Sequence, residues 1–374
     1  RLGTSLAGPR GFNANTECPC GSPIGFSLVL ASRRRSYDRH IKRYDVLYNK
    51  TQIHDGPTME ATLNSPAETL SPGAWRATDP GLSKRLLQGA VDLHCHSGPS
   101  VMPRYFDHYE AMQEASEAGV RALLIKDHYY SATPVTEMLN KHFSHLKVTL
   151  LSGVPLNNQS GGLNLYAVEH GIALGAKLVW MPTFASRNHI AHHKADANFS
   201  FPKSKKAMLS PKPLTVVDDA GQLLPEVLPI LDMVAEHDVV LSSGHLHISE
   251  IWPLFDEAKR RGVKRLLCNH PSYVIDATLE DMTRLAGMGV YLEHSMCMFA
   301  ENSKFRFYEP SKLRAMIEAA GVDRTILGSD LGQVGNPRLV DGFLSVIEIC
   351  LDLGYGEAQV RKMVSTNAAD LVGL

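Results

Sequence analysis

Short apolar runs alternate with longer amphipathic stretches over most of the chain. From residue 90 onward, the apolar runs begin at residues 90, 120, 147, 176, 238, 264, 289 and 324. Successive starts are 25 to 35 residues apart, except for a gap of 62 residues after the fourth run. Because parallel strands need a crossover of a dozen or more residues, each interval fits one strand and one helix. The pattern predicts eight βα units with an insertion after strand 4.

The stretches between the runs have helical periodicity. Tyr109, Met112, Ala115 and Ala118 recur at helical spacing, and Gly119 ends the stretch just before the second run. Runs that are apolar on both faces suit a buried parallel sheet. The chain is therefore expected to have an α/β fold, a (β/α)8 TIM barrel over residues 90–374, which takes about 250 residues plus insertions. An open doubly wound sheet is the alternative, but it would normally carry a Gly-rich phosphate loop after strand 1.

Residues 1–58 do not follow this pattern. They contain nine Lys or Arg against four Asp or Glu, and they lack sustained periodicity. We expect an irregular basic leader, either non-native or a targeting segment, since organellar transit segments are Arg-rich and poor in acids. Residues 59–89 are rich in proline and are expected to form a lead-in segment with a short helix near Leu82 to Leu87.

Composition excludes several classes of protein. Hydrophobic residues make up 44% and charged residues 21%, which are ordinary globular values. A net charge of -1 gives no overall attraction for nucleic acid, and no run approaches the ~18 apolar residues of a membrane span. Six cysteines are too few for a disulfide scaffold. We expect a cytoplasmic protein, or an organellar one if the leader is a transit segment, and the sequence leaves a homo-oligomer open.

Histidine is unusually frequent, and many histidines fall where predicted strands end. Fifteen of the 17 histidines follow residue 90. His94 and His96 end strand 1 two residues apart, so both rings face the same side of the strand. The other strand ends carry Lys126-Asp127-His128, His245, His270, Glu293-His294 and Asp330. In a barrel all of these ends lie on the face that carries active sites, and imidazoles and carboxylates bind divalent metals. The pattern predicts a metal site.

The order of these residues resembles the amidohydrolase superfamily of metal-dependent hydrolases. The resemblance implies that the metal ligands are His94, His96, His245, His270 and Asp330. More narrowly, residues 88–374 resemble the uncharacterised amidohydrolase-like family of domain DUF6282. The phrases that carry this resemblance are Asp92-Leu93-His94-Cys95-His96-Ser97-Gly98-Pro99-Ser100, Lys126-Asp127-His128, Gly161-Gly162-Leu163-Asn164 and Trp180-Met181-Pro182-Thr183.

The chain departs from the superfamily pattern at strand 4. Well-studied members mostly take their bridging ligand from this strand, which here ends Trp180-Met181-Pro182-Thr183 without Lys, Glu or Asp. A carbamylated Lys126 or Glu293 could bridge two ions, or the bridge could be absent and leave one. His128 shares a face with Lys126 and is a further candidate ligand. Zinc is the expected metal for a His-rich site, with manganese or iron as alternatives.

The resemblance implies hydrolysis of a small molecule at an amide, lactone or ester-like bond. A bound divalent metal lowers the pKa of a water ligand toward about 7. Asp330 would orient this water and take its proton, Lys126 would polarise the scissile group, and His294 would bind substrate or support a ligand. The alternative on the same barrel is decarboxylation or hydration of a small carboxylic acid. A non-catalytic binding protein is a further alternative.

The insertion after strand 4 is rich in cationic and histidine residues. Residues 184–213 contain Arg187, His189, His192 and His193, followed by three lysines at 203, 205 and 206. We expect a lid over the barrel that meets an anionic small-molecule substrate, with an ordinary solvated loop as the alternative. Asn157, which follows strand 3, is a further candidate for substrate binding.

Overall fold

The structure, a computed structural model, describes residues 73–195, 204 and 206–374. The predicted leader, residues 1–58, lies outside the described residues, as do residues 59–72 of the lead-in segment and two of the insertion's lysines, Lys203 and Lys205. The short helix predicted near Leu82 to Leu87 is present with those bounds.

Eight parallel strands form one sheet whose spatial order follows the chain from β1 to β8. Their bounds are Val91–Cys95 (β1), Ala122–Ile125 (β2), Thr149–Pro155 (β3), Leu178–Trp180 (β4), Val240–Ser242 (β5), Leu266–Asn269 (β6), Tyr291–Ser295 (β7) and Thr325–Gly328 (β8). Helices separate the strands, so the predicted (β/α)8 barrel is confirmed. Every predicted apolar run overlaps one strand.

Thirteen α-helices lie in the described part of the chain. Their bounds are Ala74–Thr78 (α1), Leu82–Leu87 (α2), His108–Glu117 (α3), Thr133–His142 (α4), Leu165–Ala173 (α5), Arg187–Ala195 (α6), Val227–Glu236 (α7), Ile248–Arg260 (α8), Leu279–Gly287 (α9), Pro310–Ala320 (α10), Leu339–Asp352 (α11), Glu357–Arg361 (α12) and Asn367–Val372 (α13). Within the described residues, no helix combines the length and the apolar character needed to cross a membrane.

The strands are apolar on both faces because each face meets a different core. Inward side chains fill the barrel, and they include Leu93, Leu124, Trp180, Leu267 and Ile326. Outward side chains on the same strands pack against the helices, and they include Leu123, Val179, Leu241, Cys268 and Leu327. Burial on both faces explains why the sequence shows continuous apolar runs rather than strict alternation.

The barrel closes where β8 meets β1, just beyond the ends of the two strands. The backbone N–H of Asp330 donates to the carbonyl of His94 at 2.7 Å, and the N–H of His96 donates to the carbonyl of Leu331 at 2.8 Å. The buried carboxylate of Asp92 accepts from the backbone N–H groups of His94 and Ser329, each at 2.9 Å. This closure places residues 94, 96 and 330 side by side, although they are far apart in sequence.

The predicted insertion lies between β4 and α7. It begins with α6, and a bridge between Ser186 and Leu214 returns the chain to the base of that helix. A second bridge between Val217 and Leu223 forms a small hairpin before α7, which is the outer helix of the fourth unit. The insertion therefore leaves from the carboxyl ends of the strands, as predicted.

Candidate metal centre

Three side chains converge at the barrel closure. Oδ1 of Asp330 lies 3.3 Å from Nε2 of His94 and 3.1 Å from Nε2 of His96. The three ligand atoms all lie within 4.8 Å of one another, and no other such group of three occurs within the described residues. Ligand atoms about 2.0–2.1 Å from a tetrahedral zinc ion are about 3.3–3.4 Å apart, so two of the three spacings are near those of a zinc site.

Both imidazoles are held so that Nε2 faces this point. The Nδ1–H of His94 donates to Oε1 of Glu293 at 2.5 Å, and the Nδ1–H of His96 donates to the backbone carbonyl of Lys126 at 2.8 Å. A carboxylate or carbonyl on Nδ1 fixes the tautomer whose Nε2 carries the lone pair, and such partners are usual behind metal-binding histidines. The residues therefore fit a divalent metal.

Lys126 lies at the position where a cation would meet His94. Its Nζ is 2.9 Å from Nε2 of His94, and the side chain is almost completely buried. Burial lowers the pKa of the Lys126 amine, while Asp330 and Glu293 oppose that shift. The amine therefore lies on the Nε2 side of the His94 ring, where a metal ion would bind. A bound metal would displace the amine, or a carbamate formed on the amine would become a further ligand.

His94, His96, Lys126 and Asp330 line a cavity at the end of the barrel. Three more predicted residues, His128, His245 and His270, line this cavity but do not belong to the group of three ligands. The rings of His245 and His270 are 4.8 Å apart, and His270 is 6.0 Å from the ring of His94. Nε2 of His245 and Nδ1 of His270 are buried and have no hydrogen-bond partner in the described part of the chain. His128 stacks on Phe184 with ring centroids 3.6 Å apart. Orphaned buried nitrogens facing a cavity are sites that a metal or substrate would satisfy.

The protonation states suit a metal. Burial lowers the pKa of His96 to about 3 and that of His270 to about 4, and it lowers the pKa of His245 well below its usual range. Burial by itself would raise the pKa of the Asp330 carboxyl, but His94, His96 and Lys126 together hold it well below its ordinary value. Neutral imidazoles beside an ionised carboxylate are the forms that bind divalent ions.

Unusual backbone conformations follow three of the strands that supply these residues. His270 has φ 29° and Asp330 has φ 50°, directly after β6 and β8. Gly244, with φ 59°, precedes His245, and a Cβ there would lie 2.1 Å from the carbonyl oxygen of Met181. Positive φ is disfavoured for residues with a Cβ, and backbone strain of this kind tends to cluster at active sites.

The insertion contributes one of its two predicted substrate-binding residues to the cavity. His189, on α6, is buried and is hydrogen-bonded to His245 through their Nδ1 atoms at 2.8 Å. Arg187 begins α6 but is exposed, does not line the cavity, and donates to Oγ1 of Thr215 at 3.2 Å. His189 therefore lines the cavity and Arg187 does not, while the lid and its contact with substrate stay predictions.

Asn157 lies beneath the cavity rather than on its wall. Its Nδ2 donates to the carbonyl of His128 at 2.8 Å and to Oγ1 of Thr183 at 2.6 Å. Its Oδ1 accepts from the N–H groups of Thr183 at 2.9 Å and of Ala185 at 3.0 Å. These four bonds join the segments that follow β2, β3 and β4, and Asn157 is not among the described residues that line the cavity, so its contact with substrate stays a prediction.

The two predicted residues at the end of β7 face opposite sides of the barrel. Glu293 faces inward to His94, behind the ring, and not toward the Nε2 side where a bridging ligand would lie. His294 faces the helices, since consecutive strand residues alternate, and it is not among the described residues that line the cavity. Burial lowers the pKa of His294 to about 4, and its ring nitrogens have no hydrogen-bond partner in the described part of the chain.

Sequence reasoning missed several residues of the cavity. The cavity is also lined by Met102, Arg104, Phe184, Tyr273, Cys297, Met298, Phe305, Phe307 and Gln333. All of these residues lie in loops or short turns after the strands, where no periodic pattern marks them. Of these residues, Arg104 is the one that the sequence could have indicated, because it is a charged residue in the loop that follows the His94-Cys95-His96 strand end.

Comparisons with known proteins agree with the fold. Residues 89–293, which is 205 of 374 residues, match a family described as a family of unknown function, DUF6282. No curated protein matches the sequence. An amidohydrolase from Pseudomonas aeruginosa has a TM-score of 0.53 and 14% identity, over 82% of this chain and 100% of that chain. The probable dipeptidase PvdM from Pseudomonas aeruginosa has a TM-score of 0.54 and 9% identity, over 81% of this chain and 98% of that chain.

A third solved structure has the same architecture. A probable 2-pyrone-4,6-dicarboxylic acid hydrolase from Acinetobacter baumannii has a TM-score of 0.50 and 11% identity, over 77% of this chain and 100% of that chain. At these identities the similarity shows the fold alone, which is a (β/α)8 barrel. Since the family match spans more than half of the sequence, the chain belongs to the DUF6282 family.

Proposed function

We propose that this protein is a metal-dependent hydrolase that cleaves an amide, lactone or ester-like bond of a small molecule. The observation that supports this function is the convergence of two Nε2 atoms and one carboxylate oxygen, from His94, His96 and Asp330, with two of the three spacings near those of a zinc site. Zinc is the expected ion, with manganese and iron as alternatives. His245 and His270 are the candidates for any further ligand.

The chemistry divides between the ion and the chain's own residues. A bound divalent ion would supply a water of lowered pKa and would polarise an oxygen of the scissile group. Asp330 is the base in this proposal, because its carboxylate is ionised and its side chain is 15% exposed, toward the cavity. It takes a proton from the attacking water and returns it to the leaving group. His270 and His245 offer buried nitrogens to the substrate.

A decarboxylase or hydratase of a small carboxylic acid is the second candidate. It is favoured by the end of β4, where Trp180 faces the barrel interior and no acid or lysine follows it. Within the described residues there is one tight group of three ligands. A single ion would fit either reaction, whereas two ions would favour hydrolysis.

Elemental analysis of the purified protein tests the proposal. We expect one or two zinc, manganese or iron ions per chain, lost when Asp330→Ala and His94→Ala are combined. His237→Ala, an exposed histidine on the outer side of the barrel, is the matched control and should keep the metal. Protein grown with ample zinc and manganese that holds no metal would contradict the proposal. Retention of metal by the double variant would place the ion elsewhere.

Turnover is tested on the same samples. A panel of small lactones, amides and aryl esters should be cleaved by the metal-loaded protein and by the His237→Ala control, and not by the double variant. Carbon dioxide release from small carboxylic acids, without cleavage of the panel, would support the decarboxylase instead.

A further inference from the structure

The loop between β1 and α3 places an arginine inside the cavity. The Arg104 side chain is 6% exposed, and its Nε is buried without a hydrogen-bond partner in the described part of the chain. It forms one ion pair within the described residues, between Nη2 and Oδ2 of Asp127 at 3.9 Å. That distance is too long for a hydrogen bond. The guanidinium therefore lacks the close carboxylate that a buried cation normally has.

Asp127 is already bonded to the backbone. Its Oδ1 accepts from the backbone N–H of Tyr129 at 2.8 Å, which closes a turn after β2. Movement of this carboxylate toward Arg104 would break the turn that follows Lys126. At 3.9 Å, Oδ2 of Asp127 accepts no hydrogen bond from the guanidinium, so the donors of Arg104 remain for another anion.

The position of Arg104 is set by the backbone. An antiparallel bridge joins it to Gln333, and the N–H of Tyr105 donates to the carbonyl of Gly332 at 2.9 Å. The loop packs so closely that a Cβ on Gly332 would lie 1.7 Å from the carbonyl oxygen of His96. Since Arg104 is tied to the segment just after Asp330, it is held beside the candidate metal ligands.

The remaining walls of the cavity are mostly apolar and aromatic. Phe184, Tyr273, Phe305 and Phe307 line it together with Arg104, His96 and Asp330. Aromatic walls bind planar groups by stacking and exclude water, which strengthens an ion pair formed inside. The empty volume of the cavity is about 610 Å³, including the part that is open to solvent, which lies in the size range of small-molecule sites.

We propose that Arg104 binds a carboxylate of the substrate, and that the substrate is a small planar or aromatic carboxylic acid whose scissile group faces the candidate metal ligands. The planar guanidinium matches a carboxylate with two parallel hydrogen bonds, which fixes orientation as well as charge. The inference deepens the proposed function, on which it rests for the reaction. It replaces the predicted contact from Arg187, which lies outside the cavity.

Benzoate and its uncharged analogue benzamide test the assignment by calorimetry, on chelator-treated and on zinc-loaded full-length protein. We expect wild type to bind benzoate more tightly than benzamide. Arg104→Gln should weaken benzoate binding about 10- to 100-fold and leave benzamide binding unchanged, because one charge-assisted pair is lost. Arg104→Lys keeps the positive charge but cannot make two parallel hydrogen bonds, so its loss of benzoate affinity should be smaller than that of Arg104→Gln. Arg121→Gln, an exposed arginine before β2, is the matched control and should bind like wild type.

Three results would overturn the assignment. The first is no benzoate binding by wild type in either form. The second is equal benzoate affinity in wild type and Arg104→Gln. The third is equal loss of benzoate and benzamide, which would mean that the arginine shapes the cavity instead of binding charge. Thermal midpoints of all variants show whether each one folds.

The two proposals fail separately. If the protein holds no metal but the chelator-treated form discriminates benzoate from benzamide through Arg104, the carboxylate subsite stands and the hydrolase does not. If metal and turnover are found but Arg104→Gln behaves as wild type with both probes, the hydrolase stands and the subsite does not.

Discussion

Replacing Glu293 by Gln should weaken metal binding without removing a ligand. The carboxylate of Glu293 is completely buried and accepts a hydrogen bond from Nδ1 of His94 at 2.5 Å. Burial raises the pKa of this carboxyl, but His94 and Lys126 together lower it by more than burial raises it. The net shift is downward, so the group is ionised. Gln has the same shape and can still accept through its carbonyl, so the substitution removes charge more than geometry.

The size of the effect follows from that single bond. A hydrogen bond to a charged group contributes about 1.5–3 kcal/mol, whereas a neutral one contributes about 0.5–1.5 kcal/mol. The difference of roughly 1–1.5 kcal/mol corresponds to about a tenfold change in an equilibrium constant. Loss of an outer partner of a metal-binding histidine costs about 10- to 100-fold in metal affinity, so we expect a loss in that range.

The measurement is zinc affinity by competition with a chromophoric chelator at neutral pH. Glu117→Gln, an exposed glutamate at the end of α3, is the matched control and should bind zinc as wild type does. His94→Ala gives the effect of losing the ligand itself and should exceed that of Glu293→Gln. Thermal midpoints of the metal-free proteins show whether the variants keep the fold.

Two results would refute the reasoning. If zinc affinity of Glu293→Gln stays within twofold of the control, the carboxylate does not support a metal ligand. If Glu293→Gln loses as much affinity as His94→Ala, Glu293 is itself a ligand, which is the role that the sequence allowed for it.

Three further substitutions test neighbouring parts of the site. Bicarbonate should raise the zinc affinity of wild type but not of Lys126→Met, because a carbamate would turn the amine 2.9 Å from His94 into an anionic ligand. Equal responses to bicarbonate in zinc titrations of the two proteins would contradict this. Asn157→Ala should lower the free energy of unfolding, measured by urea denaturation, by about 2–4 kcal/mol, because the buried partners of four hydrogen bonds are left unsatisfied. A loss under about 0.5 kcal/mol would show that water replaces these hydrogen bonds. For His294 the folded-state pKa is about 4 against 6.5 unfolded, so the unfolded chain binds the extra proton and metal-free stability falls as pH drops from 6.5 toward 4. His294→Leu should reduce that slope by up to about 1.4 kcal/mol per pH unit in unfolding curves, and an unchanged slope would mean that the ring is protonated or solvated when folded.

The architecture can be predicted from the sequence alone, because each strand and each helix has a local periodic pattern of apolar residues. Each strand of a barrel buries two faces, so each produces an apolar run, and the helix between two strands sets the interval between runs. The one long interval marked the insertion after β4. The strand-end histidines and Asp330 were also visible, since every strand of a parallel barrel ends on the same face.

Which of those residues come together was decided by tertiary structure. Asp330 meets His94 because β8 closes on β1, a pairing between distant parts of the chain that no local pattern encodes. The sequence placed Glu293 and His294 at the end of strand 7. The strand in fact runs on to Ser295, and strand alternation then turns one inward to His94 and the other outward to the helices.

Loop residues depend most on the folded structure. Arg104, Arg187 and Asn157 are polar residues near strand ends, and their types alone gave no reason to prefer one over another. Contacts made by the folded loops distinguish them. Asn157 makes four buried hydrogen bonds to three residues, and Arg187 donates to Thr215. Arg104 lines the cavity together with His96 and Asp330. The periodic pattern of a strand or helix depends on residues that are neighbours in sequence, whereas the electrostatic surroundings of a loop residue depend on its neighbours in space.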